Sequence, residues 1–308
     1  FLLAVTIILF FVMYIAGIIM FGGRGFAKVQ NFLNLFISNA GLIVVATGMT
    51  IVMITGGIDI SVGSVVAMVC MMLAWMMERG NIGAFPAILI VLATGCIFGL
   101  VQGFLVAYLK IQPFIVTLAT MNVAKGLAYV YTGGSPVRVV TKEWQFLGAG
   151  YVGGVPTPVI LLAVVLVITA IIMNKTKLGR HIYAVGGNSQ AARFSGISTA
   201  KVKFLVHTYS GIMAGLAGVV LASRMYSGQP TAGDGAEMDA IAAVVVGGTS
   251  MAGGSGKIGG TIIGGLIIGV LNNGLNLLNV NSFWQYVVKG TVILLAVFVD
   301  YLRNKKAE

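Results

Sequence analysis

Between Gly41 and Met77 the chain runs for 37 residues with one charged side chain, Asp59. A membrane-spanning helix needs about 20 mostly apolar residues. The run is too long for one crossing and just long enough for two. The polar stretch Thr55-Gly56-Gly57-Ile58-Asp59-Ile60-Ser61-Val62-Gly63-Ser64 marks where it breaks. The first 21 residues, Phe1 to Phe21, carry no charge at all. They are too long for the apolar core of a signal peptide, and no small-residue cleavage site follows. They read as a span, with a short piece expected before Phe1.

Composition agrees. Of 308 residues, 58% are hydrophobic and 9% charged. Soluble domains carry about 25% charged residues, and a soluble chain this poor in charge would expose large apolar patches. A soluble globular enzyme, a coiled coil, a disordered tail and a disulfide scaffold are excluded. Cys70 and Cys96 lie in apolar stretches, at no metal-site spacing, and read as small buried hydrophobes. The expected fold class is all-α: a polytopic helical membrane protein of about ten transmembrane helices, forming one transmembrane domain over residues 1–308.

The remaining spans are Pro86–Leu109, Pro113–Thr132, Thr157–Met173, Phe204–Ala222, Met238–Ala252, Ile258–Leu275 and Phe283–Leu302. Gly22–Ala40 mixes Arg24, Lys28, Asn31, Asn34 and Asn39 with Phe26, Phe32, Leu33, Phe36 and Ile37, and predicts an interfacial amphipathic helix. Ten spans put both termini on one side. That side collects Lys110, Lys175, Lys177, Arg180, Arg193, Lys201, Lys203, Lys257, Arg303, Lys305 and Lys306. The other holds Arg24, Lys28, Arg79, Arg138, Lys142 and Arg224. Eleven cations against six place the termini and the segment 174–203 in the cytoplasm. The net charge of +11 is thus spent on orientation, and no basic face for nucleic acid is formed.

Gly56, Gly57, Gly63 and Ser64 recur as Gly247, Gly248, Gly254 and Ser255, an offset of 191. This suggests a duplication of two halves with broken helices, as transporters often show; two ordinary tight turns would read the same. Gly95, Gly99 and Gly103, Gly211 and Gly215, Gly260 and Gly264, and Gly265 and Gly269 are spaced by four, so that helix backbones can approach closely.

Charges inside spans are costly and need a partner or a cavity. Asp59, with Thr55, Ser61 and Ser64, reads either as a pathway element or as a helix N-cap. Asp239 opens the eighth span and reads first as a cap. Lys125, near Thr120 and Asn122, either snorkels or pairs with an acid such as Asp59 or Asp239; Lys289 is expected to snorkel. Gln102, Asn122, Asn272, Asn273 and Asn276 offer neutral hydrogen bonding suited to a polyhydroxylated solute or to interhelical bonds. No catalytic set and no metal site is evident. Gly256-Lys257 fails as a phosphate loop, because Ile258 follows it and Met251 stands where Gly is required.

Three separated motifs then carry a resemblance. They are Gly48–Ser64, with Gly-Gly-Ile-Asp-Ile-Ser-Val-Gly; Gly179–Ile197, with Gly-Arg-His-Ile-Tyr-Ala-Val-Gly-Gly-Asn; and Glu237–Gly256, with Ala-Val-Val-Val-Gly-Gly-Thr-Ser. Pro113–Leu118, Gly126-Leu127 and Thr132–Gly134 fit as well. From about Asn31 onward the chain resembles the permease subunits of ribose/galactose/xylose-type ATP-binding-cassette importers. Lys125 departs from the Arg expected there in many relatives. The resemblance implies a multi-pass subunit of the bacterial inner membrane that is not itself an enzyme. It also implies a second permease subunit, the same or related, two ATPase subunits holding ATP and Mg, and an extracytoplasmic sugar-binding protein. No cofactor is expected in this chain. Carried over, the ATPase-coupling helix is Asn188, Ser189, Gln190, Ala191, Ala192, Arg193, Phe194, Ser195 and Gly196. The expected substrate pathway is Thr55, Asp59, Ser61, Ser64, Asn122, Thr249 and Ser250, with Lys125 and Asp239 as intramembrane charges. The expected function is inward transport of a pentose or hexose by alternating access; the alternatives are a nucleoside permease of the same kind and a carrier or channel without an ATPase.

Overall fold

The computed structural model describes residues 2–24, 26, 28–139 and 141–305. Phe1, the expected start of the first span, and Lys306 of the basic tail lie outside the described residues. The chain is almost wholly helical: α1 (Leu2–Phe21), α2 (Val29–Ile54), α3 (Val62–Glu78), α4 (Ala84–Ala107), α5 (Pro113–Val130), α6 (Lys142–Ala149), α7 (Thr157–Lys175), α8 (Lys177–Gly187), α9 (Ser189–Phe194), α10 (Thr199–Met225), α11 (Ala236–Val246), α12 (Ile258–Leu277) and α13 (Ser282–Lys305). Among the described residues, eight helices are long and apolar enough to cross a membrane. The other two expected spans are the 17-residue α3 and the 11-residue α11. The expected span Met238–Ala252 is therefore corrected. Eleven residues rise about 16 Å, roughly half of the hydrocarbon thickness, and the chain turns at Gly247.

Gly22–Ala40 is also corrected. It is not a separate interfacial helix: a short 3-10 turn at Gly22–Arg24 leads into α2, which continues unbroken for 26 residues. Its polar residues are accommodated locally. Asn39 is buried, donates to Leu35 O at 2.7 Å, and lies against Gly269 of α12. An amide bonded to its own helix can sit inside a bundle.

The core forms around α2, α3 and α10, which are largely buried, while α1, α4, α5, α7 and α13 expose apolar side chains outward. That is the distribution expected when hydrocarbon is the solvent for the outer ring. The glycine spacing does what the sequence implied. A Cβ on Gly95 would meet Gly211 O at 2.7 Å, one on Gly99 would meet His207 O at 2.6 Å, and one on Gly103 would meet Phe204 O at 2.6 Å. Helices α4 and α10 thus touch backbone to backbone along three turns. Gly260 and Gly264 bring α12 equally close to Gly247 and Ala243 of α11. The segment between α5 and α7 folds over the end of α10. Two residues of strand β1 (Val137–Arg138) pair antiparallel with β4 (Ser227–Gly228), β2 (Tyr151–Val152) pairs with β3 (Val155–Pro156), and Trp144 of α6 is fully buried.

Gly99→Leu should therefore cost more than an ordinary overpacking of about 1–3 kcal/mol, since the obstacle is backbone. Detergent-extracted protein should lose its monodisperse peak in size-exclusion chromatography. Gly126→Ala, with nothing within 4 Å of the new Cβ, should leave the peak unchanged. Equal behaviour of the two variants would refute the close contact.

Candidate transport site and coupling arm

Helices α2 and α11 end in the same way. Gly56 N–H donates to Met53 O and Gly248 N–H to Val245 O, each at 2.9 Å. Gly57 N–H donates to Val52 O and Thr249 N–H to Val244 O, each at 3.1 Å. This paired bonding is the Schellman closure of a helix C-terminus. It needs a left-handed residue at the turn, and Gly56 (φ 77°) and Gly248 (φ 88°) supply it. The repeat is therefore structural, but its register is 192, not the 191 read from the glycine pattern. Gly63 lies inside α3, whereas Gly254 is a left-handed loop residue. The first break covers 55–61 and the second 247–257.

The two breaks meet. Gly254 N–H donates to Ile54 O at 2.9 Å, and a Cβ on Gly253 would lie 3.0 Å from both Gly56 N and Gly186 O. Gly186 of α8 presses against Ile54 O and Gly254 N, where a Cβ would have no room. Asp300 of α13 holds the second break from the other side, accepting from Ser250 Oγ and Met251 N, both at 3.1 Å.

Asp59 anchors the first break. It is 1% exposed. Its Oδ1 accepts from Ser61 N at 3.1 Å and Ser61 Oγ at 2.6 Å, and its Oδ2 accepts from Ser210 Oγ of α10 at 2.7 Å. Gln102 Nε2 of α4 donates to Ser61 Oγ at 2.6 Å and to Thr120 Oγ1 of α5 at 2.8 Å. One carboxylate thus ties the break to α4, α5 and α10. The N-cap reading is corrected: Ser61 occupies the cap position of α3 and makes no capping bond, and Asp59 closes a local turn through Ser61 N–H.

The intramembrane charges pair differently from expectation. Lys125 bonds Asp234 at 3.2 Å, not Asp59 or Asp239, and Lys289 bonds Asp239 at 2.9 Å instead of snorkelling. Asp234 was available in the sequence, but it lies in a loop. Only the fold brings that loop down beside α3, where Gly233 O lies against Gly63. Both acids line a cavity of about 260 Å³ between α2, α3, α10 and α12, with Ser38, Asn39, Arg224 and Asn272. Arg224 reaches across it to donate to Ser38 O at 2.9 Å. Asn272 Oδ1 has no hydrogen-bond partner among the described residues.

Of the expected pathway residues, Asp59, Ser61, Thr249 and Ser250 are buried at 1% exposure and Thr55 is also buried. They lie in the packed breaks, whereas the cavity is lined by other side chains. Ser64 is partly buried, and Asn122 is on the exposed face of α5, donating to Leu118 O at 3.0 Å. Asn188 to Gly196 stand out from the bundle. Asn188 Oδ1 accepts from Gln190 N and Ala191 N at 3.0 and 2.9 Å, capping α9, while Ala192 is buried and Phe194 is 91% exposed. The preceding α8 buries Ile182 and Val185, and Tyr183 Oη donates to Gly256 O at 2.8 Å. Sequence reasoning missed Ser210, an ordinary serine in a long helix. It also missed Asp300, a lone acid in the last span that the rule for intramembrane charge would have flagged.

The family model described as "Branched-chain amino acid transport system / permease component" matches residues 31–297. The chain belongs to this permease family. It is 46% identical over 284 residues to the ribose import permease protein RbsC of Bacillus subtilis (strain 168), covering 92% of this chain and 87% of that one. It is 44% identical over 285 residues to RbsC of Escherichia coli (strain K12), covering 91% and 88%. It is also 39% identical over 277 residues to the L-arabinose transport system permease protein AraH of the same organism, covering 89% and 82%. No solved structure matches. With its apolar helices, family membership makes this permease a multi-pass protein of the bacterial inner membrane.

Asp59→Ala should strand the Ser61 and Ser210 hydroxyls. Each buried group left without its partner costs about 1–3 kcal/mol. The permease should accumulate poorly and melt lower in detergent, with Ser210→Ala reproducing part of the loss. Wild-type melting of Asp59→Ala would show that the network carries no stability.

Proposed function

We propose that this permease is the membrane-spanning subunit of an ATP-driven importer that carries a monosaccharide inward by alternating access. The ribose and arabinose named in its relatives support a sugar as substrate. A second permease subunit, the same or related, would complete the core. ATP and Mg would be held by separate ATPase subunits, and an external binding protein would deliver the sugar. The termini and the segment 174–203 would face the cytoplasm.

The observation that carries the reading is the arm formed by α8 and α9. An exposed helix, α9, is joined across Gly187 and Asn188 to the last turn of the half-buried α8, whose Gly186 sits where the two breaks touch. An ATPase gripping α9 would move Gly186, and with it Ile54 O and Gly254 N. The segments 55–61 and 247–257, with Thr55, Asp59, Ser61, Thr249 and Ser250, and with Ser64 in the first turn of α3, would then act as the moving wall of the pathway rather than as its resting lining. Asn122, exposed on α5, would face the pathway from the side. The cavity beside Ser38, Asn39 and Asn272 would take the sugar. Its amides and hydroxyl both donate and accept, and its acids are already engaged by Lys125 and Lys289, so a neutral polyol fits better than an ion. Weak polar contacts of this kind let a solute leave as well as enter.

Gentle detergent purification of the tagged permease, with mass spectrometry of its companions, tests the assembly. A stoichiometric ATP-binding-cassette ATPase is expected, and its absence under repeated mild extraction would overturn the importer. Phe194→Ser should leave the amount of folded permease unchanged. If Phe194 is an anchor, it should weaken ATPase capture by about 2 kcal/mol, roughly thirtyfold, with a parallel fall in sugar uptake. Undiminished capture and uptake would remove α9 from the coupling.

A further inference from the structure

At the foot of the arm a groove of about 570 Å³ opens between the α4–α5 connection and the start of α10. Lys110, Arg193 and Lys203 line it together with Gln112, Gln190 and Thr199, and no acidic side chain does. The two ion pairs among the described residues lie elsewhere, at Lys125–Asp234 and Lys289–Asp239. Two long helices also begin at this groove. Helix α5 starts after Gln112 and α10 after Ser198, and neither has an acid in its first turn. Their positive dipole ends add to the three cations. The rim has the opposite character. Exposed apolar side chains border the groove: Leu109 and Ile111 on the α4–α5 connection, Phe114 and Ile115 on α5, and Leu205 on α10.

We propose that this groove binds the phosphate headgroup of an anionic phospholipid, with the acyl chains lying on the exposed apolar faces of α5 and α10. A cationic pocket alone would suit any anion. The apolar rim bordering it suits an amphiphile, and an acidic protein segment would leave that rim uncovered. Basic pockets between membrane helices are known to hold such headgroups, each Lys or Arg contributing about 1 kcal/mol, about fivefold in affinity. Arg193 belongs both to α9 and to the groove, so a bound lipid would steady the coupling helix against α10. The lipid site does not depend on which solute is carried.

The test uses the full purified chain in detergent, titrated with phosphatidylglycerol, phosphatidylethanolamine or inorganic phosphate and read by native mass spectrometry and thermal melting. Wild type should retain phosphatidylglycerol over phosphatidylethanolamine, and inorganic phosphate should not displace it. The triple variant Lys110→Gln, Arg193→Gln, Lys203→Gln should lose about a hundredfold of that retention. Lys110→Gln alone should lose about fivefold, which covers the case of a triple variant that does not fold. Lys177→Gln, outside the groove, should keep the preference. Unchanged lipid preference in Lys110→Gln and in a folded triple variant would overturn the proposal. So would displacement by phosphate alone, or a triple variant that keeps its lipid but no longer captures the ATPase, because the groove would then serve a free anion or a protein.

Discussion

Unwound backbone inside a membrane protein must find its hydrogen bonds within the protein, because hydrocarbon offers none. Two helices here, α2 and α11, end in unwound breaks that have this need. Each end is closed by its own Schellman bonds, and the carbonyl left over at Ile54 is taken by Gly254 from the other break. Asp59, buried in the first break, accepts from Ser61 and Ser210, and Asp300, partly buried on α13, accepts from Ser250 and Met251 of the second. The breaks are thus bonded to each other and to the helices around them.

The same closeness makes the region mechanically connected. Only glycine allows Gly186, Gly253 and Gly254 to bring three chain segments within backbone contact. Side chains there would separate the coupling arm from the breaks. Ile182 and Val185 of α8 and Ala192 of α9 are buried in one cluster with Val202 and Val206 of α10, so the arm is packed on the bundle on two sides. The glycine ladder between α4 and α10 holds those two helices together backbone to backbone.

Much of this was legible in the sequence. The break at Thr55–Ser64 and the glycine ladders were readable, because each depends on local composition or on spacing along one helix, whereas Asn188–Gly196 was legible only through the family resemblance. What was not readable depends on distance. Lys125 could not be matched to Asp234 without the descent of the loop before α11, nor Lys289 to Asp239 without the return of α13. The register of the repeat was misread by one residue, since glycine counts for φ in one break and for packing in the other. Gly22–Ala40 misled because its asparagines look interfacial, whereas Asn39 bonds within its own helix.

The most direct measurement is of distances in the reconstituted importer by pulsed electron resonance, with spin labels on cysteines placed at Gln190, Ala252 and Asn122. On ATP binding, the distance from Gln190 to Ala252 should stay constant while both move relative to Asn122. That result follows if arm and breaks travel as one body. A Gln190–Ala252 distance that changes while Ala252 and Asn122 keep theirs would mean that α9 moves alone, and would contradict a rigid link between the coupling arm and the broken helices.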